Sequence, residues 1–192
     1  MSAIVGAAGL APGFAALEIS PRVLAELGPR LLELSQLAKQ YGIGLTIDAE
    51  ETDRLELSLD LIFGVLADAS LQGWNGFGIV VQAYQKRAPA VIDWLADCAH
   101  RHGRRLMVRL VKGAYWDSEV KRAQERGFEG YPVFTRKAST DVSYLACARA
   151  LIADQQAFYP CFATHNAHTV AAIMELAGNR RDWEFQRLHG MG

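Results

Sequence analysis

The sequence predicts an α/β protein, about five parallel strands alternating with helices, arranged as an incomplete (βα)8 TIM-type barrel. Three observations lead there. Short apolar runs recur between longer stretches whose apolar residues fall at helical spacing. The runs are apolar at nearly every position, which predicts strands buried on both faces, as in a parallel sheet. Polar residues gather where the runs end, and a barrel builds its site at the C-terminal ends of its strands. An open doubly wound sheet shares the alternation but binds nucleotides through a glycine-rich turn after its first strand. Gly73, Gly76 and Gly78 come before a strand instead, and no GxxxxGK[ST] occurs.

The elements follow in order. Ser20-Pro21 predicts a helix start, a capping hydroxyl followed by a proline suited to the first turn. Val23, Leu24, Leu27, Leu31, Leu34 and Leu37 continue at helical spacing, and Gly28-Pro29 is expected to kink or divide the helix before Gly42 and Gly44 end it. Leu45 to Ile47 reads as a strand ending at Asp48. A helix carrying Leu55, Leu59, Ile62, Phe63 and Leu66 leads to a strand over Ile79 to Val81 that ends at Gln82. A helix with Ile92, Leu95 and Ala99 stops at Gly103, and a strand runs from Leu106 to Val111 with Lys112-Gly113 at its end. Helices are expected from about Asp117 to Arg126 and from about Thr140 to Ala153, Thr140 and Asp141 reading as helix-start residues. A strand near Phe158 to Ala163 ends at Thr164-His165-Asn166. A helix from about Ala167 to Ala177 stops at Gly178, and a last strand spans Trp183 to Leu188.

Composition narrows the class. Of 192 residues, 51% are hydrophobic and 21% charged, enough apolar material for one core. With 20 basic and 21 acidic residues and no block of like charge, nothing points to nucleic acid or an anionic membrane surface. Cys98, Cys147 and Cys161 lack CxxC spacing and read as reduced packing residues of a cytoplasmic protein. Residues 1–19 form an apolar lead rich in Ala and Gly, broken by Pro12-Gly13 and without the early positive charge of a secretory signal.

Strand alternation sorts the candidate site residues. Thr46 and Asp48 share a face, as do Val80 and Gln82, and as do Met107, Arg109 and Val111. If those faces point inward, Asp48, Gln82 and Arg109 converge near the mouth. An arginine within LMVRLV needs an anionic or strongly accepting partner, because an unpaired charge in apolar surroundings costs several kcal/mol. That partner is Asp48, a cofactor, or both, and a plain structural ion pair satisfies the same pattern. Tyr84, Tyr115 and Trp116 follow strand ends, where a flat ligand can stack. Lys112-Gly113-Ala114 offers a cation and a close backbone approach to a phosphate or an anionic ring. Asp48, Glu50, Glu51, His165 and His168 admit a metal reading, although HxxH alone is weak and the two glutamates read more simply as acids near a helix N-terminus. The residues alone give a barrel-like protein for an anionic or planar ligand, with the reaction open.

Six segments carry a resemblance. LTIDAEETDRLELSLDL, GFGIVVQAYQKR, RLMVRLVKGAYWDSE, GYPVFTRKASTDVSYLACA, FATHNAHT and FQRLHGMG occur in this order and with compatible spacing. Together they resemble the proline dehydrogenase domain of bacterial bifunctional proline-utilisation flavoproteins, from about Arg22 to Gly192. The resemblance implies a distorted (βα)8 barrel with FAD across its strand ends. It implies oxidation of L-proline to pyrroline-5-carboxylate, with electrons passed to membrane quinone. It gives Asp48 an active-site role at the proline end and Arg109 a place beside the reactive part of the flavin. Gln82, Val111, Lys112, Gly113, Ala114, Trp116, Thr164, His165 and Asn166 become cofactor contacts. Tyr115 and Leu188, with Asp48, line the proline pocket.

The same resemblance marks departures. The family's first three strands, one bringing a lysine to the site, have no counterpart here. Nor does the helix whose adjacent arginines clamp the proline carboxylate, since Arg104-Arg105 and Arg180-Arg181 precede strands. Residues 20–192 are therefore expected to form a partial barrel, inactive or nearly so alone, with open sheet edges that invite self-association. Peripheral membrane contact is expected only of a longer parent. The alternatives are a metal-dependent barrel lyase or hydrolase using Asp48, His165 and His168, and a non-catalytic piece of a larger assembly.

Overall fold

A computed structural model describes residues 21–190. The lead segment and the Ser20 cap lie outside the described residues.

The described residues form six α-helices and five strands, alternating except where two helices follow one another. Helix α1 (Pro21–Gln40) precedes strand β1 (Leu45–Ile47), and a 3-10 turn at Thr52–Arg54 leads into α2 (Leu55–Leu66). Strand β2 (Phe77–Gln82), α3 (Ala88–His102) and β3 (Leu106–Val111) follow, then α4 (Trp116–Glu125) and α5 (Lys137–Ala153) in succession. Strand β4 (Phe158–Ala163), α6 (Ala167–Ala177) and β5 (Glu184–Gln186) complete the order. All four strand pairings are parallel, and the sheet runs β1-β2-β3-β4-β5. Each strand therefore pairs with the next in sequence, the order a barrel wall requires.

The outer face of this wall carries the core. Leu106, Val108 and Leu110 of β3 and Phe158 and Phe162 of β4 are buried beside Leu95 and Ala99 of α3 and Tyr144, Cys147 and Leu151 of α5. The Tyr144 hydroxyl donates towards the Leu110 and Ala163 carbonyls, both at 3.3 Å, which seats α5 across β3 and β4. Helix α3 ends where expected, at Gly103 in the left-handed region (φ 58°) that glycine adopts without a Cβ penalty.

Several expectations need correcting. Burial on both faces holds for β2 alone. In β3 it alternates: Met107, Arg109 and Val111 remain partly exposed because the inner face has no opposing wall among the described residues. Helix α1 runs undivided through Pro29, which removes a single backbone donor, while Leu31, Leu32, Ser35 and Ala38 beyond it pack inward. Helix α5 starts at Lys137, so Thr140 and Asp141 lie beyond its first turn. The last strand is only three residues long, Glu184–Gln186.

Candidate functional site

The sheet register stacks the inner-face residues in rows. Thr46, Gly78, Met107 and Tyr159 are partners in one row. Val80, Arg109, Cys161 and Glu184 form the next, and Gln82 is paired with Val111 above it. Asp48, two residues beyond Thr46, falls on the same side of the sheet as Val80 and Arg109.

Arg109 organises the mouth. Its Nη1 donates to Asp48 Oδ1 at 2.6 Å and its Nε to Gln186 Oε1 at 2.6 Å. The pair is not buried: the Arg109 side chain is 32% exposed and that of Asp48 74%. The open inner face supplies water where a closed barrel would supply protein, so the charge needs less internal compensation than an arginine in an apolar strand suggests. Gln82 is buried and donates from Nε2 to the Glu50 carbonyl at 2.7 Å. Glu50 also accepts from the Tyr115 hydroxyl at 3.2 Å, and that bond pushes the phenol pKa up. One loop after β1 thus touches the ends of both β2 and β3.

That loop is clamped from below. Glu119 of α4 is 2% exposed, and its carboxylate accepts from the Thr52 N–H at 2.8 Å and the Thr52 hydroxyl at 2.6 Å. The Thr52 carbonyl accepts from Arg87, which also reaches Glu56 at 3.2 Å. Asp53 pairs with Arg126 at 2.8 Å.

Other candidates have partners within the chain that the sequence does not show. Tyr84 is 2% exposed and offers no surface for a ligand; burial and the nearby Glu119 charge raise its pKa. Its ring fills the space beside Gly113, where an added Cβ would lie 2.4 Å from ring carbons at φ 131°. The close approach that Gly113 permits is to this ring. Lys112 Nζ donates to Asp141 Oδ1 at 2.6 Å, and Lys137 donates to the other oxygen at 2.8 Å. These two bonds hold the Asp141 carboxyl below its ordinary value. Ala114 and Trp116 are exposed, the latter donating from Nε1 to the Phe134 carbonyl. Asn166 caps α6 by accepting from the Thr169 N–H, and Thr164 Oγ1 accepts from the Asn166 N–H. His165 Nε2 lies 3.4 Å from the N–H of Leu188, itself 64% exposed, so those two strand ends meet. Among the described residues no three His, Cys, Asp or Glu side chains form a metal site, and the set of Asp48, His165 and His168 is not assembled. No helix among them is long and apolar enough to cross a membrane. The arginine pairs are committed near the N-terminal ends of strands: Arg104 donates to the Trp74 carbonyl, and Arg105 and Arg180 share Asp182.

Gln186, Glu184, Glu119 and Thr52 escape the sequence reading. Alternation over Glu184-Phe185-Gln186 puts two polar groups on the face of Arg109, which is the signal that finds the first two. No local pattern reveals the contact between Glu119 and Thr52.

The family model for proline dehydrogenase matches residues 4–192. The chain is 64% identical over 174 residues to the bifunctional protein PutA of Salmonella typhimurium, an alignment covering 89% of this chain and 13% of that protein. It is 59% identical over 174 residues to the bifunctional protein PutA of Rhizobium meliloti, covering 89% and 14%. A crystal structure of bifunctional proline utilization A superposes with a TM-score of 0.89 at 62% identity, covering 91% of this chain and 18% of that one. The chain thus spans 13% and 14% of the length of these two relatives.

Proposed function

The chain belongs to the proline dehydrogenase family, and from that premise we propose that it carries part of the site for FAD-dependent oxidation of L-proline to pyrroline-5-carboxylate. The observation that carries the reading is Arg109, a cation fixed by Asp48 and Gln186 at the strand ends of an open inner face. Such a donor set fits a flavin, whose ring gains negative charge on reduction. When bound, FAD supplies the acceptor for the hydride that leaves proline. Arg109 stabilises the charge that grows beside it, and Asp48 and Gln186 keep the guanidinium from swinging into water. Gln82, Val111, Lys112, Gly113, Ala114, Trp116, Thr164, His165 and Asn166 would hold the cofactor. Asp48, Tyr115 and Leu188 would border the substrate, whose amine proton would pass to the water that reaches the open inner face as the C=N bond forms. Membrane quinone is the proposed electron acceptor, and peripheral membrane contact belongs to a longer parent. Residues 20–192 would form the partial barrel, with little turnover alone because water reaches the inner face.

The test begins with the visible spectrum of the purified chain. Flavin bands, or uptake of added FAD, are expected, and Arg109→Met should weaken that uptake by about tenfold, the equilibrium value of one charge-assisted contact. A colourless protein that takes up no FAD would refute the cofactor reading. Proline-dependent dye reduction at roughly 10 s⁻¹, ordinary for an enzyme, would refute the weak turnover proposed for the chain alone.

A further inference from the structure

The side-chain amide of Gln186 is sandwiched between opposite demands. Its Oε1 accepts from Arg109 Nε at 2.6 Å, while its Nε2 donates to Glu184 Oε1 at 2.6 Å. A guanidinium only donates and an ionised carboxylate only accepts, so a single orientation of the amide satisfies both neighbours. Flipping it would set NH2 against guanidinium and oxygen against carboxylate. Glu184 is itself steadied by the Tyr159 hydroxyl, which approaches its Oε2 at 3.4 Å. Register places Glu184 in the row of Arg109, two strands away, with Cys161 between them.

We propose that Glu184 is a positioning residue: acting through Gln186, it fixes the amide with its oxygen towards Arg109 and so completes the orientation of the guanidinium that Asp48 holds from the other side. The inference deepens the proposed flavin site and rests on it for its functional meaning. The geometry itself does not depend on a cofactor. Without Glu184 the Gln186 amide is held in that orientation by Arg109 alone, and Arg109 keeps one firmly fixed acceptor in place of two. The guanidinium then rotates about its bond to Asp48, and a cofactor meets a cation in several places.

Two readouts on the whole chain separate this role from a merely structural one. The first is the exchange of the Arg109 Nε–H with water, followed by nitrogen-15 NMR without cofactor. Glu184→Ala should speed that exchange by at least about tenfold, as loss of one charged hydrogen bond implies. Glu184→Gln, which keeps an acceptor oxygen for Gln186, should leave it close to wild type. Gln186→Leu removes the acceptor directly and should match Glu184→Ala, with unchanged backbone amide spectra showing that each variant folds. The second readout is FAD affinity by fluorescence titration, expected to fall in the same order. Exchange in Glu184→Ala as slow as in wild type overturns the proposal, as does Glu184→Gln behaving like Glu184→Ala. Failure of the wild type to take up FAD overturns the flavin site and leaves the arginine exchange to decide the role of Glu184.

Discussion

Replacing Glu119 with alanine should be among the costliest single changes in the described residues. The carboxylate is 2% exposed and its two oxygens serve one residue, Thr52, itself 3% exposed. Hydrogen bonds to a charged group contribute about 1.5–3 kcal/mol each, and truncating one partner strands the other side's donors away from water. Here two donors are stranded, and Arg87, bonded to the Thr52 carbonyl, loses a nearby negative charge. The expected loss is about 3–5 kcal/mol, a large part of the roughly 5–15 kcal/mol typical of a domain. Glu119→Gln keeps an acceptor for the Thr52 N–H, and should cost about half as much. Urea unfolding followed by far-UV circular dichroism measures both, the alanine variant shifting the midpoint by about 2 M at an ordinary slope. The double variant with Thr52→Val supplies the coupling, because it leaves only the residue 52 N–H unpaired, against two donors in Glu119→Ala, and leaves no buried carboxylate short of a partner. A loss below about 1 kcal/mol for Glu119→Ala, or costs that simply add in the double variant, would refute the clamp.

Two more expectations concern charge and thiols. Asp182 is held down to about 2 from 3.8, chiefly by the hydrogen bond from Arg180, with Arg105 adding to it. A depressed folded-state value stabilises above the ordinary carboxylate range and loses that stability as pH falls through about 2. Asp182→Asn should therefore flatten the acid limb of the stability curve below pH 4, read by thermal melts across pH, and superimposable limbs would show that the pairing contributes nothing. Cys98, Cys147 and Cys161 are all buried free thiols, and burial pushes Cys161 up to about 12. A thiol-specific disulfide reagent should leave the native protein unlabelled and react with all three after unfolding, whereas rapid native labelling would contradict this burial.

The alternation of strands and helices was legible because each element announces itself over a few neighbouring residues. Gly103 and Gly178 stop helices, and apolar runs such as LMVRLV and FYPCFA mark strands whose ends the structure reproduces. Arg109 was legible for the same local reason, a charge in an apolar run, and alternation correctly put Asp48 within its reach. What periodicity misjudged was solvent. An apolar strand suggests cover on both sides, but cover depends on walls that the strand's own residues do not encode, so β3 turned out half wet. Partners distant in sequence were equally hidden. Lys112 reads as an unpaired cation, yet α5 brings Asp141 to it, and the close approach legible at Gly113 is one that the Tyr84 ring makes.

The strictly consecutive strand order bears on how the chain acquires its shape during synthesis. Each strand finds its partner in the stretch that has just emerged, so assembly can proceed in the direction of translation without waiting for the far end. The four closures are unequal, however. Joining β3 to β4 must gather a segment holding both α4 and α5, while each of the other closures gathers one α-helix. Loop-closure entropy makes that the slowest docking event. Until it happens, the β3 edge stands unpaired and sticky, which makes the passage between Val111 and Phe158 the interval when a nascent chain most needs a chaperone.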